Sequence, residues 1–154
     1  VNWAGVNPAT TASLYSIAVS GSDIYVSGYT SATQDLFKST DNGTTWTSVS
    51  FSGAPSISGF NTYSMALSGS TFILVGTYAE MIRSTNTGAN WTSLMYRRSL
   101  ASLTDLYANN SGRVIAVGTN AGSPDVIMYS GDAGATWNTA NYIASDYINT
   151  IQKQ

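Results

Sequence analysis

An eight-residue pattern that recurs three times constrains the fold of this 154-residue chain more than any other feature. Each copy reads Ser-x-Asp/Asn-x-Gly-x-x-Trp, and the successive tryptophans are 45 and 46 residues apart. A fixed period of this size is typical of repeat architectures, and a four-stranded propeller blade takes about 40–50 residues. The recurring positions are Ser39, Asp41, Gly43 and Trp46; Ser84, Asn86, Gly88 and Trp91; and Ser130, Asp132, Gly134 and Trp137.

Each octapeptide follows the same succession of short apolar runs and polar turns. In the first unit, residues 15–19 and 24–28 are apolar runs separated by a Ser/Gly/Asp turn, and residues 36–39 form a third run. Runs rich in Val, Ile, Tyr and Phe between Gly, Ser and Asn turns indicate strands, and no stretch shows a helical period. We therefore predict an all-β fold, a β-propeller-like array of about three four-stranded blades. The predicted units span about residues 13–50, 61–95 and 102–140 of one domain, 1–154.

Partial repeats at both ends predict one extra strand at each terminus. A segment of about residues 1–6, which includes Trp3, resembles the fourth strand of a further blade. Residues of about 146–152 look like the first strand of another, with Ile148 in the place of Ile17. Three blades are fewer than the four to eight that usually close a propeller ring. We therefore expect more chain, further copies in a ring, or a fibre to complete the structure.

The octapeptide resembles the Asp box of β-propellers in the sialidase-like, photosystem-assembly-factor-like and sortilin-like families. This resemblance implies a structural turn that lies away from the active face. The residue types fit such a turn, because Asp or Asn accepts backbone N–H groups, Gly adopts positive φ and Trp buries a large ring. A calcium or sugar site in the octapeptide is not favoured, because clustered carboxylates are lacking and the second copy has Asn86.

Charge and residue usage exclude several classes of function. The formal net charge is −2, and 9% of residues are charged against roughly 25% in an average domain, so no basic patch for nucleic acid is expected. The chain has no histidine and no cysteine, so we predict no disulfide, no metal site and no cofactor. No apolar run approaches the length of about 20 residues that a membrane span needs. The abundance of uncharged polar residues favours an extracellular or cell-surface protein.

An enzyme is not predicted. A sialidase resemblance would imply an arginine triad, a Tyr–Glu nucleophile pair and an Asp acid/base, whereas the chain has four arginines, two of them adjacent, and a single glutamate. A glycosidase needs two carboxylates across one bond, and we do not assign Glu80 and Asp125 as such a pair. We assign no catalytic residue.

One face of the predicted propeller carries the most variable loops. The loops between second and third strands and the linkers between blades share this face, which we call the loop face, opposite the octapeptides. Rigid scaffolds commonly present binding residues on such loops, and aromatic and polar side chains there suit sugar or peptide recognition. The alternative is that these side chains only pack loops or meet solvent. The candidates are Tyr29, Tyr78, Glu80, Tyr96, Arg97, Arg98, Asp125 and Tyr142.

These observations favour a non-catalytic, extracellular structural or adhesive module. Unpaired strands at both ends invite pairing with another copy, so we expect self-association into a ring or filament through strand complementation, with ligands on the loop face. One alternative is a glycan-binding, lectin-type propeller, with a protein as another possible ligand. A third is a fragment of a larger sialidase-like hydrolase or assembly-factor propeller.

Overall fold

The computed structural model describes residues 10–30, 34–54, 60–94, 101–120, 125–140 and Ile151. Twelve strands in these ranges form three four-stranded antiparallel sheets, which confirms the all-β, three-blade prediction. Blade 1 contains β1 (Ser13–Ser20), β2 (Asp23–Tyr29), β3 (Gln34–Ser39) and β4 (Thr47–Ser48). Blade 2 contains β5 (Thr62–Ser68), β6 (Thr71–Gly76), β7 (Met81–Ser84) and β8 (Thr92–Ser93). Blade 3 contains β9 (Ala101–Ala108), β10 (Val114–Asn120), β11 (Val126–Ser130) and β12 (Asn138–Thr139).

Each blade is a meander in which sequential strands are neighbours. The first strand carries a β-bulge at the same place in every blade, and the bulged residues are Tyr15, Tyr63 and Thr104. A glycine at the end of the second strand approaches the backbone of the first strand beside each bulge. A Cβ built on Gly28, Gly76 or Gly118 would lie 2.0, 1.8 or 2.0 Å from a carbonyl oxygen there. Only glycine fits this close approach of two strands.

Two apolar cores lie between the blades, one on each side of blade 2. Because side chains alternate along a strand, one face of blade 2 packs against blade 1 and the other against blade 3. Met65, Phe72 and Leu74 belong to the core with blade 1, whereas Ala66 and Ile73 belong to the core with blade 3. We call the side of a blade that meets the preceding blade its rear face and the other side its forward face. Blade 2 is thus covered on both faces.

A polar contact at one repeated position joins neighbouring blades. The Met65 backbone N–H donates to Ser16 Oγ at 2.9 Å, and Ser64 Oγ donates to Asp105 Oδ1 at 3.1 Å. Asp105 Oδ2 in turn accepts the backbone N–H of Ile151 at 2.7 Å. Ile151 therefore takes the position beside blade 3 that Met65 takes beside blade 1.

When the repeats are aligned by sequence, Ile148 is the residue that corresponds to Met65. Ile148 lies outside the described residues, as do the predicted N-terminal strand and all of the predicted C-terminal strand except Ile151.

Candidate functional site

The three octapeptide turns share one hydrogen-bonded geometry. The leading serine hydroxyl donates to the side-chain oxygen of Asp41, Asn86 or Asp132 at 2.8, 2.9 and 2.7 Å. The same hydroxyl accepts the glycine N–H at 2.8, 2.9 and 2.9 Å. Each tryptophan Nε1 donates to that glycine's carbonyl oxygen at 3.0, 3.0 and 3.1 Å, and the glycines have φ of 87°, 86° and 78°. The polar groups of each turn thus hydrogen-bond to one another, which is typical of a turn with a structural role.

The acidic side chains of the first and third turns have lowered pKa values. The hydroxyl of Thr45 donates to Asp41 Oδ2 at 2.6 Å and its backbone N–H donates to Oδ1 at 2.8 Å. These bonds, with that from Ser39, lower the pKa of Asp41 to about 2. Thr136 makes the same pair of bonds and holds the pKa of Asp132 well below its usual range. These hydrogen bonds favour the ionised carboxylates.

We expect the two acidic turns to make the fold sensitive to acid. A lowered folded-state pKa adds stability that is complete above the unfolded pKa and is lost as pH falls through the folded value. The Tm of the wild-type chain should therefore drop between about pH 4 and pH 2, and the double variant Asp41→Asn/Asp132→Asn should lose less over that window. Thermal unfolding followed by circular dichroism at several pH values measures this difference.

The second octapeptide supplies the matched control for the acid experiment. Asn86 accepts the Asn90 backbone N–H at 2.9 Å in the same geometry without a charge. Asn86→Asp should therefore add to the acid sensitivity. Parallel Tm–pH curves for the wild type, the double Asn variant and Asn86→Asp would show that these carboxylates do not control acid stability.

The predicted ligand residues fall into three groups. Tyr29 ends β2 and joins an aromatic cluster, whereas Tyr78 is 54% exposed in a short 3₁₀ turn, Thr77–Ala79, with φ of 59°. Glu80 is only 6% exposed, so solvent or a ligand has little access to it, and Asp125 is half-buried directly before β11. The remaining four lie outside the described residues: Tyr96, Arg97, Arg98 and Tyr142.

Three tyrosine rings form a cluster at the loop-face end of blades 1 and 2, which we call the tyrosine cluster. The rings of Tyr15 and Tyr29 stack with centroids 5.2 Å apart and planes 4° apart, and their hydroxyl oxygens are 3.3 Å apart. Tyr63 meets both rings edge-on, with centroid distances of 6.0 and 6.4 Å. Sequence reasoning found Tyr29 but missed Tyr15 and Tyr63, because both lie inside predicted strands. The available signal was that both occupy the same position of the repeat.

Both outer faces of the array have exposed apolar side chains, although on the forward side of blade 3 Ile151 lies beside Asp105. On the rear face of blade 1, Ile17 is 64% exposed, whereas the equivalent Met65 and Leu106 are 2% and 0% exposed. The forward face of blade 3 has a cavity of about 570 Å³, with Tyr129 49% exposed beside it. Its lining includes Tyr107, Arg113, Ile115, Tyr129 and Asn138.

The architecture and the repeated turns agree with a sequence profile of a known domain. The profile of the DUF6242 β-propeller domain matches residues 2–149. The chain belongs to this DUF6242 propeller family. No protein with a curated description matches the sequence significantly.

Solved propellers resemble the DUF6242 domain in fold. A structure of YCF48 bound to D1 peptide has a TM-score of 0.68 and 21% identity, and YCF48 from Cyanidioschyzon merolae has 0.64 and 19%. The GH74 xyloglucanase from Xanthomonas campestris has a TM-score of 0.59 and 19% identity. These matches cover 88%, 87% and 77% of this chain but 45%, 41% and 18% of the other proteins. The chain thus spans less than half the length of these structural neighbours.

Across the described ranges, no three His, Cys, Asp or Glu side chains lie together so as to hold a metal ion. None of the described segments contains a helix that is long and apolar enough to cross a membrane.

Proposed function

We propose that this DUF6242 propeller domain is a non-catalytic structural module that self-associates by stacking the forward face of blade 3 on the rear face of blade 1 of a second copy. The observation that carries the proposal is the exposure of Ile17 at a position where the equivalent Met65 and Leu106 are buried. Inside the chain, each rear face packs on the preceding forward face. The two outer faces therefore correspond to the two halves of one further interface. Ile151 would leave Asp105 when that interface forms, because Ile17 of the second copy takes the same position.

The outer face of blade 3 retains the chemistry of an interface between blades. Tyr129 occupies the register position of Arg83, because each pairs with the equivalent residue of the second strand, Ile115 or Ile73. Arg83 reaches the next blade, where its Nε donates to the Ala133 carbonyl oxygen at 2.8 Å. Ile73, buried between blades 2 and 3, corresponds to Ile115 on the cavity wall of blade 3. Arg83 thus contacts the blade that follows blade 2. Tyr129 holds the same register position in blade 3 and is 49% exposed.

Burial of the exposed apolar side chains would drive such an association. Ile17 and Val19 are 64% and 62% exposed, and complete burial of each side chain would contribute about 1–2 kcal/mol. A contact between two different faces is heterologous, so it closes a ring if the rotation permits and otherwise extends into a filament. Strand exchange through the termini, which the sequence favours, would add to the same contact.

A binding role is favoured over catalysis for two further reasons. Glu80 is the only glutamate, and its burial argues against a carboxylate pair open to substrate. One structural neighbour, YCF48, is described as bound to a peptide, so a propeller of similar fold has a binding partner.

We also infer that the octapeptides are Asp boxes, because their Ser, Asp/Asn, Gly and Trp groups bond to one another in all three copies. The composition favours a secreted or cell-surface location.

Complementary face variants test the self-association directly. Light scattering on a sizing column should give the 154-residue chain a native mass above 16.2 kDa. Ile17→Asp and Tyr129→Asp should each be monomeric, because each substitution puts a carboxylate into one of the two contacting faces and burial of that charge is unfavourable. A mixture of the two should form a heterodimer, because each variant supplies the face that the other lacks. Thr92→Asp, at an exposed position of β8, is the control that should assemble like the wild type.

Three results would contradict the proposal. The first is a wild-type chain that stays at 16.2 kDa at high protein concentration. The second is assembly that survives both face substitutions. The third is a mixture that remains monomeric although each variant is folded by circular dichroism. A monomer would favour the alternative that the rest of a longer propeller covers these faces.

A further inference from the structure

The tyrosine cluster arises from the repeat itself. Tyr15 and Tyr63 are the bulged residues of the first strands of blades 1 and 2, and a bulge commonly redirects a side chain towards a binding site. Tyr29 ends the second strand of blade 1 and pairs with Ser13 across from the bulge. The same structural device therefore brings rings from two blades to one place on the loop face. In blade 3 the bulged residue is Thr104, so the aromatic character is confined to blades 1 and 2.

The ring geometry defines how a ligand can approach. Tyr15 and Tyr29 are in stacking contact at 5.2 Å, so no ligand group fits between them. A cage around a cation is therefore not formed, because such a cage needs ring faces turned towards a common space. Tyr15 is 50% exposed, and Tyr29 and Tyr63 are half-buried. The accessible surface is thus the exposed part of Tyr15 together with the paired hydroxyls.

The polar part of the cluster is a neutral hydroxyl pair. Tyr15 and Tyr29 share one hydrogen bond between their hydroxyls at 3.3 Å, which leaves one O–H donor and several acceptor lone pairs for a ligand. The hydrogen bond with Tyr15 raises the pKa of Tyr29, so that phenol stays protonated at physiological pH. The cluster therefore offers no charge to an ionic ligand, and it offers both donor and acceptor capacity to a neutral one.

These features fit one chemical class of ligand. A neutral hexopyranose with equatorial hydroxyls has C–H groups on its ring faces, and the negative face of an aromatic ring attracts such weakly positive groups. Its adjacent hydroxyls match a pair of hydroxyls that can donate and accept side by side. We propose that the tyrosine cluster is a binding site for neutral, β-linked hexopyranose chains, with Tyr15 as the stacking platform and the Tyr15–Tyr29 hydroxyls as hydrogen-bonding partners.

Titration calorimetry and saturation-transfer NMR with cellohexaose test this site on the full chain. Cellohexaose is linear and neutral, and its ring substituents are equatorial. We expect a dissociation constant of about 0.1–1 mM, because the platform is a small open surface. Tyr15→Ala should weaken binding by about tenfold or more, whereas Tyr15→Trp should retain it. Tyr15→Phe should weaken it by a smaller factor, because it keeps the ring and loses the hydroxyl.

Thr92→Ala is the control, because Thr92 is exposed on β8 and lies outside the tyrosine cluster and the other candidate ligand residues. Its affinity should equal that of the wild type. The proposal is overturned if cellohexaose does not bind, or if Tyr15→Ala and Thr92→Ala weaken binding equally. Binding of decaproline in place of cellohexaose would assign the cluster to extended peptides and would also overturn it. Thermal unfolding of each variant separates loss of binding from loss of fold, and Tyr15→Trp keeps the test valid if Tyr15→Ala is unstable.

Discussion

Replacing Gly76 by alanine is expected to unfold blade 2 or to destabilise the chain by about 3–5 kcal/mol. The added Cβ would lie 1.8 Å from the Asn61 carbonyl oxygen, 2.8 Å from the Asn61 carbonyl carbon and 3.0 Å from a ring carbon of Phe60. Two of these atoms belong to the backbone beside the bulge, so no side-chain rotation relieves the clash. Because domains are stable by only about 5–15 kcal/mol, this loss is a large share of the total. Urea unfolding followed by circular dichroism measures it.

Gly131→Ala is the matched control for this substitution. A Cβ at Gly131 would meet no atom within 4 Å, so its free energy of unfolding should change by no more than about 0.5 kcal/mol. Gly118→Ala should behave like Gly76→Ala, because its Cβ would lie 2.0 Å from the Ser102 carbonyl oxygen. If Gly76→Ala and Gly131→Ala have similar stability, the close approach of the two strands is not required for the fold.

Trp91→Ala should lower the free energy of unfolding by about 3–5 kcal/mol, because it leaves a cavity in the core between blades 1 and 2. Trp91 is 2% exposed, and its ring contacts Phe51 and Phe72 at centroid distances of 5.1 and 6.1 Å. The linker that follows blade 1 lies beside Trp91, since the Ser52 carbonyl oxygen accepts the backbone N–H of Trp91 at 2.8 Å. Denaturant titration with tryptophan fluorescence and circular dichroism measures the change.

Trp46 has the same place in the first octapeptide and provides the comparison. Its indole makes the equivalent hydrogen bond to Gly43, but the ring is half-exposed. Trp46→Ala should therefore cost less than half as much as Trp91→Ala. A loss at Trp46 that equals or exceeds the loss at Trp91 would mean that the local turn, rather than burial between blades, determines the contribution of these tryptophans.

The strands and turns could be predicted because their determinants are local in sequence. The octapeptide specifies a turn through the spacing of its Ser, Asp/Asn, Gly and Trp, and all three copies adopt one geometry. Short runs rich in Val, Ile, Tyr and Phe between Gly, Ser and Asn turns predict the strands. The bulges were not predicted, because one extra residue in a short strand does not change its apolar pattern. The tyrosine cluster depends on those bulges and was missed for the same reason.

Repetition and composition by themselves determined that this chain folds as three β-sheet units with matching turns, and that its chemistry uses few charges. The tertiary structure alone decided which equivalent residues differ in environment. Ile17 and Met65 occupy the same position of the repeat, yet one is 64% exposed and the other 2%. The physical reason is that burial depends on the neighbouring blade, and among the described residues blade 1 has a neighbouring blade on one side only. The tyrosine cluster likewise depends on the tertiary structure, because the bulged Tyr63 of blade 2 lies against the Tyr15–Tyr29 stack of blade 1.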